Sequence, residues 1–515
     1  MKENKRVSRA AMARRGLWAI ACAALCIDCG HVRPASEAQP INRQPAIFPY
    51  SCGTIIPPNI APLNFIIKEE GKRFFVSISK KGAPGIEIAS RSASIAIPPK
   101  QWRTLLAAAR GSAIGITVYC LTNKTWRRYE TIWDTVSAEA ADRYVAYRKL
   151  PVCKDWTYMG FYQRDIQDFE ERMVFHNLGN GVCFNCHSFR NNNADEMVLE
   201  IRSKNAGTPL LLGTVMNGVN ILRAINTKTA FSTGRAGFTS WHPNKDILAF
   251  SMNKFEMLFN SAGKEPREVF DAGADIALFD YARNTVIKCP DMSRQDRIET
   301  MPEWSKDGKF LYFCGGPQLP EKQRREIQCD LLRIAFDPET RQWGRLDTVV
   351  IAQKAGGSVL QPKCSPDGLS LLVTIAPYGD FPIDKVGGRL GLIDIKTSAL
   401  RILDFGGKWT DGWHGWSGNG HWMVFNSKRM NGRFSSLWFS YRDAAGVAHR
   451  PFVLPQKDPS FHESALITYT IPEFTVSRIK FTCNQFREAI DDYRKNAFTD
   501  AAPADSARSG EEREY

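Results

Sequence analysis

A mainly β protein is predicted by three features of this 515-residue sequence. A repeat in the second half reads as a C-terminal β-propeller of five or six blades. Short alternating strands fill the chain before it, as a small β-rich domain. Between the two lies a segment with a Cys-x-x-Cys-His, in GNGVCFNCHSF at residues 179–189.

The repeat has four copies: SWHPNKDILAFSM from Ser240, EWSKDGKFLYFCG from Glu303, KCSPDGLSLLVTI from Lys363 and GWSGNGHWMVFNS from Gly415. Each sets an aromatic residue or cysteine before a polar turn with Asp or Asn, then an alternating apolar strand. Asp-Gly and Asn-Gly tolerate positive φ, which is a hairpin signal. A second strand pair follows each copy, as in IALFDYARNTVIK and LGLIDIKTSALRIL. Four strands every fifty to sixty residues or so is the period of propeller blades. TPLLLG…VNILRAINTKTA from Thr208 is a weaker copy, so the propeller is expected over 208–480.

Residues 45–150 carry FFVSIS, GIEIAS, ASIAIP and GITVYC, all alternating, and one helical stretch, KQWRTLLAAAR. The first 38 residues read as a signal peptide: Lys and Arg before Gly16, then an apolar run to Ile27 too short for a permanent span. Small residues at Ser36-Glu37-Ala38 offer a cleavage site. Cys22, Cys26 and Cys29 leave a lipoprotein anchor open, although none follows a good lipobox. Residues 481–515 are polar and expected to be disordered. Part of the +14 formal charge lies in the signal and the rest is scattered, which argues against nucleic acid as a partner.

Cys183, Cys186 and His187 form the attachment signature of c-type haem. Two thiols at this spacing add to two vinyl groups on one porphyrin edge, and the adjacent histidine becomes the proximal iron ligand. Zinc would need a second ligand pair, and the other C-x-x-C lies in the signal. A redox dithiol wants a strand-to-helix setting, and a disulfide across so short a loop is strained. Met197 is the candidate sixth ligand, which would raise the potential; His176 is the alternative, which would lower it. Met197 reads equally as a core residue beside Val198 and Leu199. Asp411 and His414 are candidates for the channel mouth, though both read as blade-turn residues.

The repeats resemble TolB-type β-propeller blades, in which W-S-P-D-G-x-x-L-x-F precedes an I-x-L-x-D strand. The likeness covers 236–455, with Cys364 in place of Trp and Gly418 in place of Pro. A larger arrangement is also similar to secreted bacterial proteins that join a small β domain, a C-x-N-C-H-S-F motif and TolB-like blades. The matching stretches are Met159–Asn177, Cys183–Phe189 and Leu454–Phe474. Members are often labelled TolB-like or cytochrome c biosynthesis proteins. Where they commonly carry His-x-Arg after the Met, this chain has Glu200, which leaves Met197 the better ligand candidate.

The expectation is therefore an exported monohaem c-type cytochrome-like protein, with one haem c beside the propeller, serving electron transfer or redox sensing. It would be periplasmic or outer-membrane-associated in a Gram-negative bacterium. Its partner would be a redox protein or an envelope complex. The alternative is a TolB-like scaffold that binds protein or glycan at the propeller face, with structural or no haem. An enzyme is disfavoured, because G-x-S-x-G and H-E-x-x-H are both missing.

Overall fold

A computed structural model describes residues 34, 38–151, 158–176, 182–203, 207–232, 235–259, 267–382 and 385–495. The expected signal with Cys22, Cys26 and Cys29, and the tail beyond Lys495, lie outside the described residues.

Among the described residues, six four-stranded sheets form a propeller. Blade 1 starts at Val182–Arg190 and ends at Val219–Ile225. Blade 2 runs from Arg235–Trp241 to Thr285–Lys288, and blade 3 from Arg297–Trp304 to Gln342–Val350. Blade 4 spans Ser358–Cys364 to Leu400–Ile402, and blade 5 spans Asp411–Trp416 to Phe452–Val453. Blade 6 is composite: its innermost strand is Ile467–Thr475, and Tyr144–Pro151, Gly160–Asp165 and Glu171–His176 lie outside it in that order. Each innermost strand touches the next, and Ile467–Thr475 touches Val182–Arg190, so the ring is closed.

The recurring turns are built alike. Ser305 donates to Asp307 at 2.6 Å and accepts from the Phe310 N–H at 2.9 Å; Ser365 with Asp367 and Ser370, and Ser417 with Asn419 and Trp422, repeat the arrangement. Gly308, Gly368 and Gly420 each supply the positive φ that follows.

Three expected boundaries change. The propeller begins at Tyr144 rather than at 208, and the described residues of the expected haem-attachment segment, 151–207, form strands of blades 6 and 1 rather than a separate unit. The weak copy from Thr208 is the outer half of blade 1. Blade 1 lacks the Ser-x-Asp-Gly signal because its first hairpin turns on Asn191-Asn192, with φ of 49° and 60°, a two-residue connection that needs both residues left-handed. The third change is a helix at Cys483–Lys495, where disorder was expected. Phe486, Ala489 and Ile490 form its apolar stripe, and it packs on the outer strands of blades 1 and 6, with the Phe486 ring 5.1 Å from Phe175.

The N-terminal domain centres on the long strand Ser112–Thr122, which pairs with Arg73–Lys80 on one edge and with Ile132–Val136 and Thr125–Tyr129 on the other. The helix Pro99–Ala108 buries Trp102, whose indole donates to the Ile60 carbonyl at 3.0 Å. Its core is continuous with blades 5 and 6 through Trp422, Phe439, Phe452 and Tyr469. The domain is thus a buttress on the seam where the ring closes.

The closing strand carries Phe474, which is buried against the Phe439 ring at 5.6 Å. Phe474→Ala should cost about 3–5 kcal/mol in urea unfolding. Leu369→Ala, at an exposed blade turn, should stay within about 0.5 kcal/mol of the parent.

Candidate functional site

Every innermost strand slips register at the same depth. The slips fall between Phe184 and His187, Gly237 and Ser240, Thr300 and Glu303, Leu360 and Lys363, and Gly412 and Gly415; in blade 6 the slip lies opposite Ala146 and Arg148. Such bulges re-aim side chains. In five blades the bulge holds a non-glycine residue at positive φ: Phe238, Met301, Gln361, Trp413 and Ile471. That conformation costs on the order of 1–3 kcal/mol each and persists only where the surroundings impose it. The bulged pairs line a central compartment of about 60 Å³, to which blade 1 contributes Cys186 and His187.

The compartment has two unlike ends. Towards the blade turns stands a charged row: Lys363 Nζ lies 3.4 Å from Glu303 and 4.0 Å from Glu473. Burial lifts Glu473 to about 7, against the pull of Lys363. Beyond this row a wider mouth of about 160 Å³ opens among Ser188, Asn191, Asn192, Lys306 and Trp416. At the other end Phe238, Phe255, Phe381 and Trp413 pack together, with Phe238 stacked on Trp413 at 5.7 Å. The long hairpin of blade 2 continues past them and is held by Glu268, which accepts from Arg324, Arg325 and Tyr378.

His187 is 2% exposed, its ring 4.5 Å from Phe161 of blade 6 and 5.8 Å from Phe189. Neither ring nitrogen has a hydrogen-bond partner. Burial, with the charges of Arg148 and Lys363, lowers its pKa to about 3, so the imidazole is neutral. By contrast His414, which lines the same compartment, is tied down: its Nε2 lies 2.7 Å from the Gln361 carbonyl and 3.0 Å from that of Leu372. It is therefore a channel-wall residue rather than a turn residue. Asp411 is buried and bonded to Arg429 at 2.5 Å, outside the compartment lining.

Burial pushes the Cys186 thiol up to about 12, despite a bond from the Phe238 backbone. Burial also raises Cys183, and the charges of Arg148, Arg202 and Arg235 oppose it. Both thiols are free, as are all the described cysteines. Arg148, on the blade 6 strand Tyr144–Pro151, donates to the Phe184 carbonyl at 3.2 Å and to Asn185 Oδ1 at 2.6 Å. It pins the two residues between the cysteines. Sequence reasoning missed it; its only signal was a lone arginine inside the apolar strand YVAYRKLP.

The two proposed sixth ligands are placed elsewhere. Met197 is fully buried in the core between blades 6 and 1, paired in register with Phe189, its Cγ against Gly213. His187 pairs with Leu199, so His187 and Met197 rise from one face of the same sheet. Met197 therefore does not stand across from His187. His176 sits on the outermost strand of blade 6, beside Arg487 at 3.3 Å, while His187 lies on an innermost strand.

Whether the residues fit a haem turns on the donor set. Two thiols flank one strand segment, and the adjacent imidazole is neutral, buried and without a partner, which is the state a metal-binding histidine needs. Among the described residues no three His, Cys, Asp or Glu side chains converge, so a protein-only metal site is not formed. The spacing of the donor set is that of haem c, but the fold does not bring it together: Cys183 pairs with Arg202 and His187 with Leu199, so the first thiol and the imidazole leave opposite faces of the sheet. The 60 Å³ compartment does not house a macrocycle, because pockets for ligands of that size run to roughly 300–1,000 Å³. A group on the Cys183 side of the strand would not meet the His187 imidazole, so the residues as folded do not fit a haem held by all three.

An imidazole buried with both nitrogens orphaned costs about 1–3 kcal/mol. His187→Leu should therefore stabilise the haem-free protein by about that much. The folded-state pKa lies below the ordinary 6.5, so wild type loses stability as pH falls below 6.5. The variant's advantage should grow by about 1.4 kcal/mol per pH unit from there towards 3. Denaturant midpoints at pH 7, 6 and 5 measure this; a destabilised variant would mean that the nitrogens are satisfied.

No family model matches the chain, and no curated protein does. Among solved structures the chain is similar to an oligogalacturonate lyase in complex with manganese, at 13% identity and a TM-score of 0.34, over 61% of this chain and 74% of that one. A Synechocystis apocarotenoid oxygenase mutant shows 10% identity and a TM-score of 0.37, over 82% and 95%. The β-propeller domain of Myceliophteria thermophila Swd1 shows 11% and 0.29, over 52% and 85%. These are likenesses of fold at most. The β-propeller assignment rests on this chain's own sheets, four strands each and closed into a ring.

Proposed function

We propose that the protein is an exported monohaem c-type cytochrome-like protein, with the haem joined to Cys183 and Cys186 and its iron held by His187. What supports this reading is the Cys-x-x-Cys-His spacing in the sequence, with the His187 imidazole buried and neither nitrogen bonded; in the finished fold Cys183 faces the other side of the sheet. A haem bound there would supply one-electron exchange. The chain's own part is to hold the motif still: Arg148 fixes Phe184 and Asn185, and Phe161 and Phe189 fix the ring plane. Export to a Gram-negative periplasm follows from the N-terminal signal pattern, and a redox protein or envelope complex is the partner this chemistry requires. Neither Met197 nor His176 is carried forward as the sixth ligand.

A second reading has its own observation. The mouth with Glu303, Lys363 and Glu473 at its base is a polar concavity on the propeller axis, suited to a peptide or glycan held by a scaffold protein. Haem and scaffold functions are compatible in one molecule.

The deciding measurement is a pyridine haemochrome spectrum with intact mass, on full-length protein exported in a host that matures c-type cytochromes. A c-type α-band with one covalent haem is expected, and Cys183→Ser or Cys186→Ser should lose the second thioether. Free thiols at both positions, beside a matured control cytochrome, would leave the scaffold reading alone.

A further inference from the structure

We propose that the aromatic end of the central compartment is a gate, held shut by a proton shared between Asp271 and Asp380. This does not depend on haem. Asp271 stands on the return strand of the blade 2 hairpin, Arg267–Asp280, and Asp380 follows the blade 4 strand Ser370–Ala376. Each acid sits beside one of the rings that pack there: Phe255 is the register partner of Asp271, and Phe381 is next to Asp380 in sequence. Those two rings meet at 5.8 Å, and both pack on Phe238. Phe381 also packs on Trp413 at 5.6 Å. Phe238 and Trp413 belong to the bulges of the ring itself. The end therefore closes where the hairpin of one blade meets the loop of another.

The joint is a pair of carboxyl groups, 2% and 0% exposed. The Asp271 N–H donates to Asp380 Oδ2 at 2.9 Å, and Asn253 donates to Asp271 Oδ2 at 2.7 Å. The second oxygen of each acid, Oδ1, has no donor. Yet the two side chains are hydrogen-bonded to each other. Carboxylates only accept, so that bond needs a proton on one of them, and a second negative charge in the same buried space is costly. Burial and the charge of Asp380 raise Asp271 well above the usual carboxyl range. Lys385 offsets the remaining charge on Asp380; its Nζ packs against Gly379 and donates to the Phe381 carbonyl at 2.8 Å. Arg202 from blade 1 pulls on Asp271 in the opposite sense to burial. From blade 3 the thiols of Cys314 and Cys329 feel the charge of Asp380, and burial keeps both neutral. Among the described residues no third acid, His or Cys converges with the pair, which leaves a proton rather than a metal ion between them. Tyr378 donates to Glu268 at 2.9 Å and ties the same loop to the same hairpin without that proton. Loss of the proton thus parts Phe255 from Phe381 without detaching the loop.

The sign follows from the proton count. From the ordinary carboxyl value of 3.8 upward, the native pair keeps a proton that the unfolded chain has lost. Its contribution to the folding constant weakens about tenfold per pH unit until the pair gives that proton up. The test compares full-length protein with Asp271→Asn by hydrogen–deuterium exchange from acid to alkaline pH, corrected for intrinsic rates. Asparagine keeps the shape and donates an N–H where the acid donates an O–H, but has no proton to lose. The reporter is the Trp413 N–H, which donates to Gln361 at 2.9 Å in the compartment wall. In wild type its protection should fall by about tenfold or more at the alkaline end, together with that of the segments around Asp271 and Asp380. In Asp271→Asn it should hold. Asp380→Asn, which also leaves a single acid, should behave the same way and serves if Asp271→Asn fails to fold. Trp413 protection that ignores pH in wild type would overturn the gate, even if the two segments loosen. So would an equal alkaline loss in the asparagine variants.

Discussion

Ring closure by the strand Ile467–Thr475 is the constraint on which the rest of the molecule depends. That strand hydrogen-bonds along Tyr144–Pro151, so blade 6 draws on both ends of the propeller sequence. A propeller left open there would expose two sheet edges and the apolar faces between them. Closure also brings Phe161 and Arg148 of blade 6 against blade 1, which builds the wall and the clamp around His187, Phe184 and Asn185. The N-terminal domain and the helix Cys483–Lys495 both pack on this seam, from opposite flanks.

The second organising feature is the bulge repeated in every innermost strand. A regular strand would alternate its side chains between the two flanking blades. The extra residue breaks that alternation once per blade and turns one side chain of each blade towards the axis at one depth. Blade 1 uses that position for Cys186 and His187, whereas the other blades place Thr239, Pro302, Pro362, His414 and Pro472 there. The motif that looked like an insertion between domains is thus the first blade's version of a common device.

What was legible in the sequence follows from locality. Blades 2 to 5 were readable because turn, bulge and strands are contiguous, and because Ser305-x-Asp307-Gly308 and its counterparts form a self-contained hydrogen-bonded turn. Blade 6 was not, since its innermost strand follows the other three by most of the propeller, and strand pairing at that separation leaves no local mark. Blade 1 was hidden by the bulge, which scrambles the alternation of Phe184, His187 and Phe189. Cys183, Cys186 and His187 were legible because their chemistry depends on spacing alone. Arg148 meets the motif from blade 6, and Asp271 meets Asp380 from another blade, so only the fold brings them together. The places of Met197 and His176 were not legible for the same reason: nearness along the chain does not say which face or which strand of a sheet a residue takes.

The composite blade also orders events in time. During synthesis the motif strand emerges early, and the strand that completes its surroundings follows most of the propeller. Until then Phe161 and Arg148 have no closed ring to hold them against blade 1, and the two thiols are reachable from outside. Afterwards both are half-buried, and burial holds the Cys186 thiol up at about 12. The last strand therefore acts as a door that shuts once, on the side of the motif strand where His187 lies against Phe161.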